Sequence, residues 1–315
     1  MCRYRLMETQ AKAPQKKKTR LEIRKAVERK RFAIQAAFTI LTNSYIVGFI
    51  RGTIYRGPLK QICVPGMNCY SCPGALGACP IGSLQAVAGG KGRSVSFYIL
   101  GALMLFGLAF GRLLCGFACP FGFLQDLLAR IPVRKRRVPE KIDRPARRLK
   151  YALLACVFLL PAAVSAAKGA AASPCFCKYI CPAGTLEGGL PLLIADSSLR
   201  AMAGALFTWK ALVLAGVLLG AVFIPRFFCR YLCPLGAFYS LFSRFALYRM
   251  ELDVSSCIAC GRCEEVCPMA VRVTQELEAS PECIRCGRCK AVCPAGAICA
   301  GFEIPGVKKK EKQVF

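Results

Sequence analysis

The stretch 257–294 reads CIACGRCEEVCP and, after a short connection, CIRCGRCKAVCP, so eight cysteines stand in two copies of C-x2-C-x2-C-x3-C-P. Three thiols this close in sequence can grip one object only if the backbone between them curls tightly. Glycine takes the left-handed turns this needs without strain, and Gly261 and Gly287 fall in the same slot of each copy. Pro268 and Pro294 follow the last cysteine of each copy and keep the chain from running on as a regular element.

C-x2-C is also a zinc spacing, so a pair of structural zinc sites is the plain alternative. The duplicated run resembles the two-cluster bacterial ferredoxin family, where it holds two cubane clusters and the fourth cysteine of each copy crosses to the other cluster. The resemblance implies one 4Fe-4S cluster on Cys257, Cys260, Cys263 and Cys293, a second on Cys283, Cys286, Cys289 and Cys267, and one-electron transfer as the task. Eight cysteines in this order outweigh the zinc alternative.

The rest of the chain is of another kind. With 55% hydrophobic residues and a mean hydropathy of +0.44, it points to a membrane rather than to a soluble core. Four stretches, 32–50, 95–114, 151–167 and 209–224, approach the roughly 20 helical residues needed to cross a hydrocarbon layer about 30 Å thick. Lys and Arg crowd the arm before the first stretch, the 134–150 connection and the KKKEK tail, and are sparse at 51–94 and 168–208. The basic flanks belong in the cytoplasm, which predicts a multi-pass protein of the cell (inner) membrane with both termini, and the ferredoxin segment, cytoplasmic. No cleavage site follows the first apolar stretch, so it reads as a retained span. The apolar piece 190–207, with Asp196 and Arg200 inside it, reads as a short interfacial or re-entrant helix.

The net charge of +28 sits at membrane boundaries, so lipid headgroups account for most of it and nucleic acid is not expected as a partner. Part of it can steer an acidic electron carrier. The chain has no histidine, which removes the ordinary ligand of a b-type haem. Its 22 cysteines are grouped at span ends and in the ferredoxin segment, unlike a small secreted disulfide scaffold. Cys2, Cys156 and Cys299 fit no pattern and read as structural.

A second repeat lies in the apolar part. RLLCGFACPFG and RFFCRYLCPLG place Arg112 and Arg226, Cys115 and Cys229, Cys119 and Cys233 at one constant offset. Two spans separate the copies, so both should emerge on one face as a parallel tandem repeat. Cysteines at i and i+4 share a helix face, and Cys115, Cys119, Cys229 and Cys233 together predict a third, inner cluster. The bland alternative is buried thiols packing a helix interface. Arg112 and Arg226 are candidates to offset the charge of the thiolates or to mark the headgroup level. On the opposite face the loops hold Cys63, Cys69, Cys72 and Cys79, then Cys175, Cys177 and Cys181. Cys69, Cys72, Cys79, Cys177 and Cys181 supply candidates for a single outer cluster, in an unknown choice of four, with disulfide pairing as the alternative.

The paired C-x3-C-P motifs together with the ferredoxin segment, over residues 95–295, resemble the polyferredoxin-type membrane iron–sulfur proteins. These include the quinol-dehydrogenase subunit of periplasmic nitrate reductase and the membrane part of the nitrous-oxide-reductase regulator. The resemblance implies a mainly α membrane protein: a four-helix transmembrane bundle (32–249) between a basic arm (1–31) and a small α+β two-cluster ferredoxin-like domain (250–305), with a basic tail (306–315). It also implies an electron-transfer subunit of an oxidoreductase complex. Its partners would be a cytoplasmic ferredoxin or flavoprotein and an extracytoplasmic flavin or metalloprotein. A quinone is the alternative acceptor, and a redox-sensing or assembly role is a third reading. No acid–base pair, nucleophile or phosphate loop offers substrate chemistry.

Overall fold

The computed structural model describes residues 20–90, 97–168 and 172–302; Cys2, the KKKEK tail and the basic part of the 86–94 connector lie outside them. The chain opens with α1 (Arg20–Thr42) and a short α2 (Ile46–Arg51), then a cysteine-rich loop to α3 (Pro80–Ala88). The first half-bundle continues through α4 (Phe97–Phe110), α5 (Leu113–Phe117) and α6 (Pro120–Leu128). The long α7 (Glu140–Lys168) leads to α8 (Cys175–Tyr179), and a π-helical stretch (Gly184–Gly189) runs into α9 (Leu190–Ala195) and α10 (Ser197–Ala201). The second half-bundle is α11 (Ala205–Phe223), α12 (Phe227–Tyr231) and α13 (Pro234–Leu241). The C-terminal unit has β1 (Tyr248–Leu252), α14 (Arg262–Glu265), α15 (Val273–Glu276), α16 (Arg288–Val292) and β2 (Ile298–Phe302). β1 and β2 pair antiparallel, Met250 opposite Ala300.

The protein is thus mainly helical with one small sheet. Among the described residues, α7 and α11 are long and apolar enough to cross a membrane, and α4 is a shorter apolar helix of 14 residues. Leu105, Leu159, Leu212 and Leu219 on these helices are exposed, as side chains facing lipid would be. The stretch 32–50 is not one span: α1 stops at Thr42, and α2 starts anew after a break at 43–45. α1 begins in charged sequence and packs on α5, α6 and α16, so it is a strap along the side of the molecule. The basic connection is not a loop throughout, because α7 starts at Glu140 and carries its charged turns into the apolar part without a break. The piece 190–207 is broken into short helices, as its charges required.

A further correction concerns the C-x3-C pairs. α4 ends before Gly111 (φ +55) and α11 before Arg226 (φ +58), so each first cysteine lies on a separate short helix, α5 or α12. Each second cysteine is not on that helix at all but caps the next one, α6 or α13, with extended backbone. Proline at the first helical position, pre-set for a helix start, explains why the break falls where it does.

One apolar core runs through the molecule: Ile81 and Leu84, then Met67 and Tyr239, then Phe121 and Phe228, and finally Met269 and Ile284 of the C-terminal unit. That unit sits on the basic side of the bundle. Arg147 donates to the carbonyls of Met269 (3.1 Å) and Ala270 (3.0 Å), and Lys150 pairs with Glu282.

Candidate metal centres

In the C-terminal unit the repeat is written into the backbone. Ala259, Gly261 and Ala270 have positive φ, and so do Arg285, Gly287 and Gly296 at the matching places of the second copy. Three of the six are not glycine, a conformation that costs roughly 1–2 kcal/mol per residue and is held here by the enclosing turns. The curls shape two small, partly open pockets. One is lined by Cys283, Cys286 and Cys289 with Cys267, the other by Cys257, Cys260 and Cys263 with Cys293, the crossed sets the ferredoxin resemblance implied. Cys260 is exposed, whereas Cys286 and Cys289 are buried. The thiols stand around a volume, which fits a cubane gripped at its corners.

In the apolar part four helices start alike: Cys79-Pro80, Cys119-Pro120, Cys181-Pro182 and Cys233-Pro234, each with glycine two residues after the proline. The glycine amides donate to the thiol sulfur of Cys119 (3.4 Å), Cys233 (3.3 Å) and Cys181 (3.4 Å). A helix N-terminus offers free N–H groups and positive potential, which favours a thiolate.

The inner group brings Cys115, Cys119, Cys229 and Cys233 together, all buried. Burial first, and then the neighbouring thiols, push the Cys119 and Cys233 thiols far up; four thiolates here need a cation among them. The two halves clasp each other reciprocally. Arg112 donates to the carbonyl of Cys229 at 3.0 Å, and Arg226 donates to the carbonyl of Cys115. Each arginine is fully buried and has an acid: Glu282 at 2.8 Å for Arg112, and Asp126 for Arg226. Asp126 also accepts from Arg31 (2.9 Å) and Gln35 (3.0 Å) of α1. Burial alone would raise the Asp126 carboxyl, but Arg226 and Arg31 hold it well below the usual carboxylate range.

On the other side, Cys69, Cys79, Cys177 and Cys181 form the outer group. The Cys181 thiol is raised by burial and then by Cys177, Cys79 and Cys69. A Cβ on Gly184 would lie 3.7 Å from the sulfurs of both Cys181 and Cys69. Cys72, the fifth candidate, donates to Asn43 Oδ1 at 3.6 Å. Cys63 pairs across a bridge with Ala78, and Cys175 donates to the Ser173 carbonyl.

Several residues were not singled out from sequence. Gln125 donates to Cys229 Sγ at 3.1 Å and accepts from the Phe228 amide at 3.0 Å. Gln85 repeats this on Cys177 Sγ (3.3 Å) and Phe176 (2.9 Å). Glu187 accepts from the Cys69 amide at 2.7 Å, and burial pushes its carboxyl up to about 7. These three, with Tyr239, occupy the same place after the four Cys-Pro starts, a signal present in the repeat.

The units connect. A Cβ on Gly116 would lie 2.8 Å from the carbonyl of Ile284, next to Cys283, and Arg285 donates to the carbonyls of Phe110 (2.8 Å) and Ser243 (2.7 Å) at the ends of both half-bundles.

A chain so arranged is an iron–sulfur protein. The 4Fe-4S binding domain family matches residues 94–139, 152–191 and 206–250, and the 4Fe-4S dicluster domain family matches 249–294. The chain belongs to the polyferredoxin-type iron–sulfur proteins. It is 32% identical to an uncharacterized protein of Methanocaldococcus jannaschii over 53% of this chain and 56% of that one. It is 25% identical to the putative electron transport protein YccM of Escherichia coli over 59% of this chain and 49% of that one. It is also 28% identical to the methylamine utilization ferredoxin-type protein MauN of Methylorubrum extorquens over 73% of this chain and 74% of that one. The chain spans little more than half the length of the first of these. No solved structure matches.

Proposed function

We propose that the protein is a membrane electron conduit with four cysteine-held centres in series. Cys257, Cys260, Cys263 and Cys293 would hold the first, at the surface of the C-terminal unit. Cys283, Cys286, Cys289 and Cys267 would hold the second, against the bundle. Cys115, Cys119, Cys229 and Cys233 would hold the inner membrane centre, and Cys69, Cys79, Cys177 and Cys181 the outer one. A cubane bound at each place supplies a reversible one-electron acceptor whose potential is set by charge, hydrogen bonds and exposure.

The observation that carries the reading is the continuity of the four groups. Arg112 alone touches the carbonyl of Cys229 and the carboxylate of Glu282, beside Cys283. The protein's own residues hold the thiols, exclude water and donate hydrogen bonds to sulfur through Gln85, Gln125 and the glycine amides. Exposed Cys260 marks the end where a cytoplasmic ferredoxin or flavoprotein would exchange electrons. The outer group faces an extracytoplasmic partner. In this reading α4, α7 and α11 cross the membrane and α1 completes the bundle, with the basic connection and the C-terminal unit on the cytoplasmic side.

Iron and acid-labile sulfide, measured per chain on anaerobically purified protein, test it. About sixteen irons supports four centres, at four per cubane. About eight confines the protein to its ferredoxin unit and overturns the conduit.

A further inference from the structure

The segment 65–69, Pro-Gly-Met-Asn-Cys, touches both membrane groups within five residues. Gly66 is pressed on the inner group: a Cβ there would lie 2.7 Å from the carbonyl oxygen of Ala118 and 2.8 Å from Cα of Cys119. Met67 comes next, and its sulfur lies 3.5 Å from Sγ of Cys233. Cys69 is itself a member of the outer group.

The segment is fixed at both ends by the same place of the repeat. Tyr239, after Cys233, donates to the Pro65 carbonyl at 3.0 Å, and Glu187, after Cys181, accepts from the Cys69 amide at 2.7 Å. Asn68 donates to the Thr42 carbonyl at 3.3 Å. Met67, Asn68 and Tyr239 are all buried. α1 gives a ruler: Arg31 marks the inner level through Asp126, and Thr42 marks the level of Asn68. At 1.5 Å per residue these are about 17 Å apart, well short of a hydrocarbon layer of about 30 Å.

We propose that 65–69 is a bridge coupling the two membrane sites, with Met67 as the contact and Tyr239 as the positioning residue that seats it. This rests on the conduit reading and deepens it. One electron leaves one site, which is oxidised, and arrives at the other, which is reduced. No bond is made or broken and no proton moves.

The test uses the full-length protein, purified anaerobically and reduced with dithionite, which delivers single electrons. Iron content and EPR spectra are taken on the same samples. With both sites reduced, the inner signal of the wild type is expected to be broadened by its neighbour and to sharpen in Cys69→Ser, whose iron falls by about four. Tyr239→Phe and Met67→Leu should keep the wild-type iron content while freeze-quenched electron exchange between the two sites slows severalfold. Iron near sixteen with an inner signal identical in wild type and Cys69→Ser overturns the bridge alone, as do wild-type exchange rates in both conservative variants. Iron near eight overturns the conduit reading and the bridge with it.

Discussion

At the inner group two buried guanidinium groups, Arg112 and Arg226, lie against the carbonyls of Cys229 and Cys115. At the outer group a carboxyl, Glu187, accepts from the Cys69 amide and is pushed up to about 7. Both groups use the same Cys-Pro helix starts and the same glutamine clamp, Gln125 inside and Gln85 outside. The scaffold is therefore shared and the charged neighbours differ: two arginines, each paired with a buried acid, on the inner side, and Glu187 with the buried Lys60 on the outer side.

The strongest way to break the comparison is to remove one site at a time. Cys119→Ser with Cys233→Ser should lower iron by about four per chain while the signals of the C-terminal unit persist; unchanged iron would mean there is no inner centre to compare. For the outer site, Cys69→Ser should lose about four irons and Cys72→Ser none, and the reverse result would redraw the outer ligand set.

Next in size are the buried acids. Glu282→Gln or Asp126→Asn leaves arginines buried without a full counter-charge, which costs about 3–5 kcal/mol, readable as a lower midpoint of denaturant unfolding. Glu187→Gln, which faces no buried arginine, should change the midpoint far less. Equal losses would show that the charge contrast is not real.

Gln125→Ala and Gln85→Ala each strand a buried amide, that of Phe228 or Phe176, at about 1–3 kcal/mol, and each removes a donor to sulfur. Redox titration should show only the inner potential falling in the first variant and only the outer in the second. The smallest effect is on pH dependence. Asp126 titrates below its ordinary 3.8 in the folded protein, so its stabilising contribution is present above that pH and lost as pH falls through the lower folded value. Asp126→Asn should flatten the acid limb of a stability–pH curve, whereas Glu187→Gln should leave that limb in place.

Much of this was legible in the chain. The doubled R-x2-C-x3-C-P follows from spacing, the crossed cysteine sets of the C-terminal unit were implied by the ferredoxin resemblance, and the division into inner and outer groups came from the basic flanks. The α1–α2 break was not legible, because 32–50 is apolar throughout and hydropathy does not register the turn at 43–45. Nor was the cap geometry: spacing of four suggests one helix face, but Pro120 and Pro234 restart the helix at each second cysteine. Cys69 could not be chosen over Cys72 from sequence, since the choice depends on where the 65–69 loop enters the core. Asp126 and Glu282 were overlooked although both lie close to cysteine motifs, because their role is set by tertiary contacts with Arg226 and Arg112 that spacing does not register.

Glu282 lies between Arg112 and Lys150 and hangs the C-terminal unit on the bundle. Swinging that unit away would strand two cations in a dry interior, so it works as a soldered joint rather than a shuttle on a tether. Under the proposed conduit, exchange with a carrier would then fall at the exposed Cys260 end of that unit.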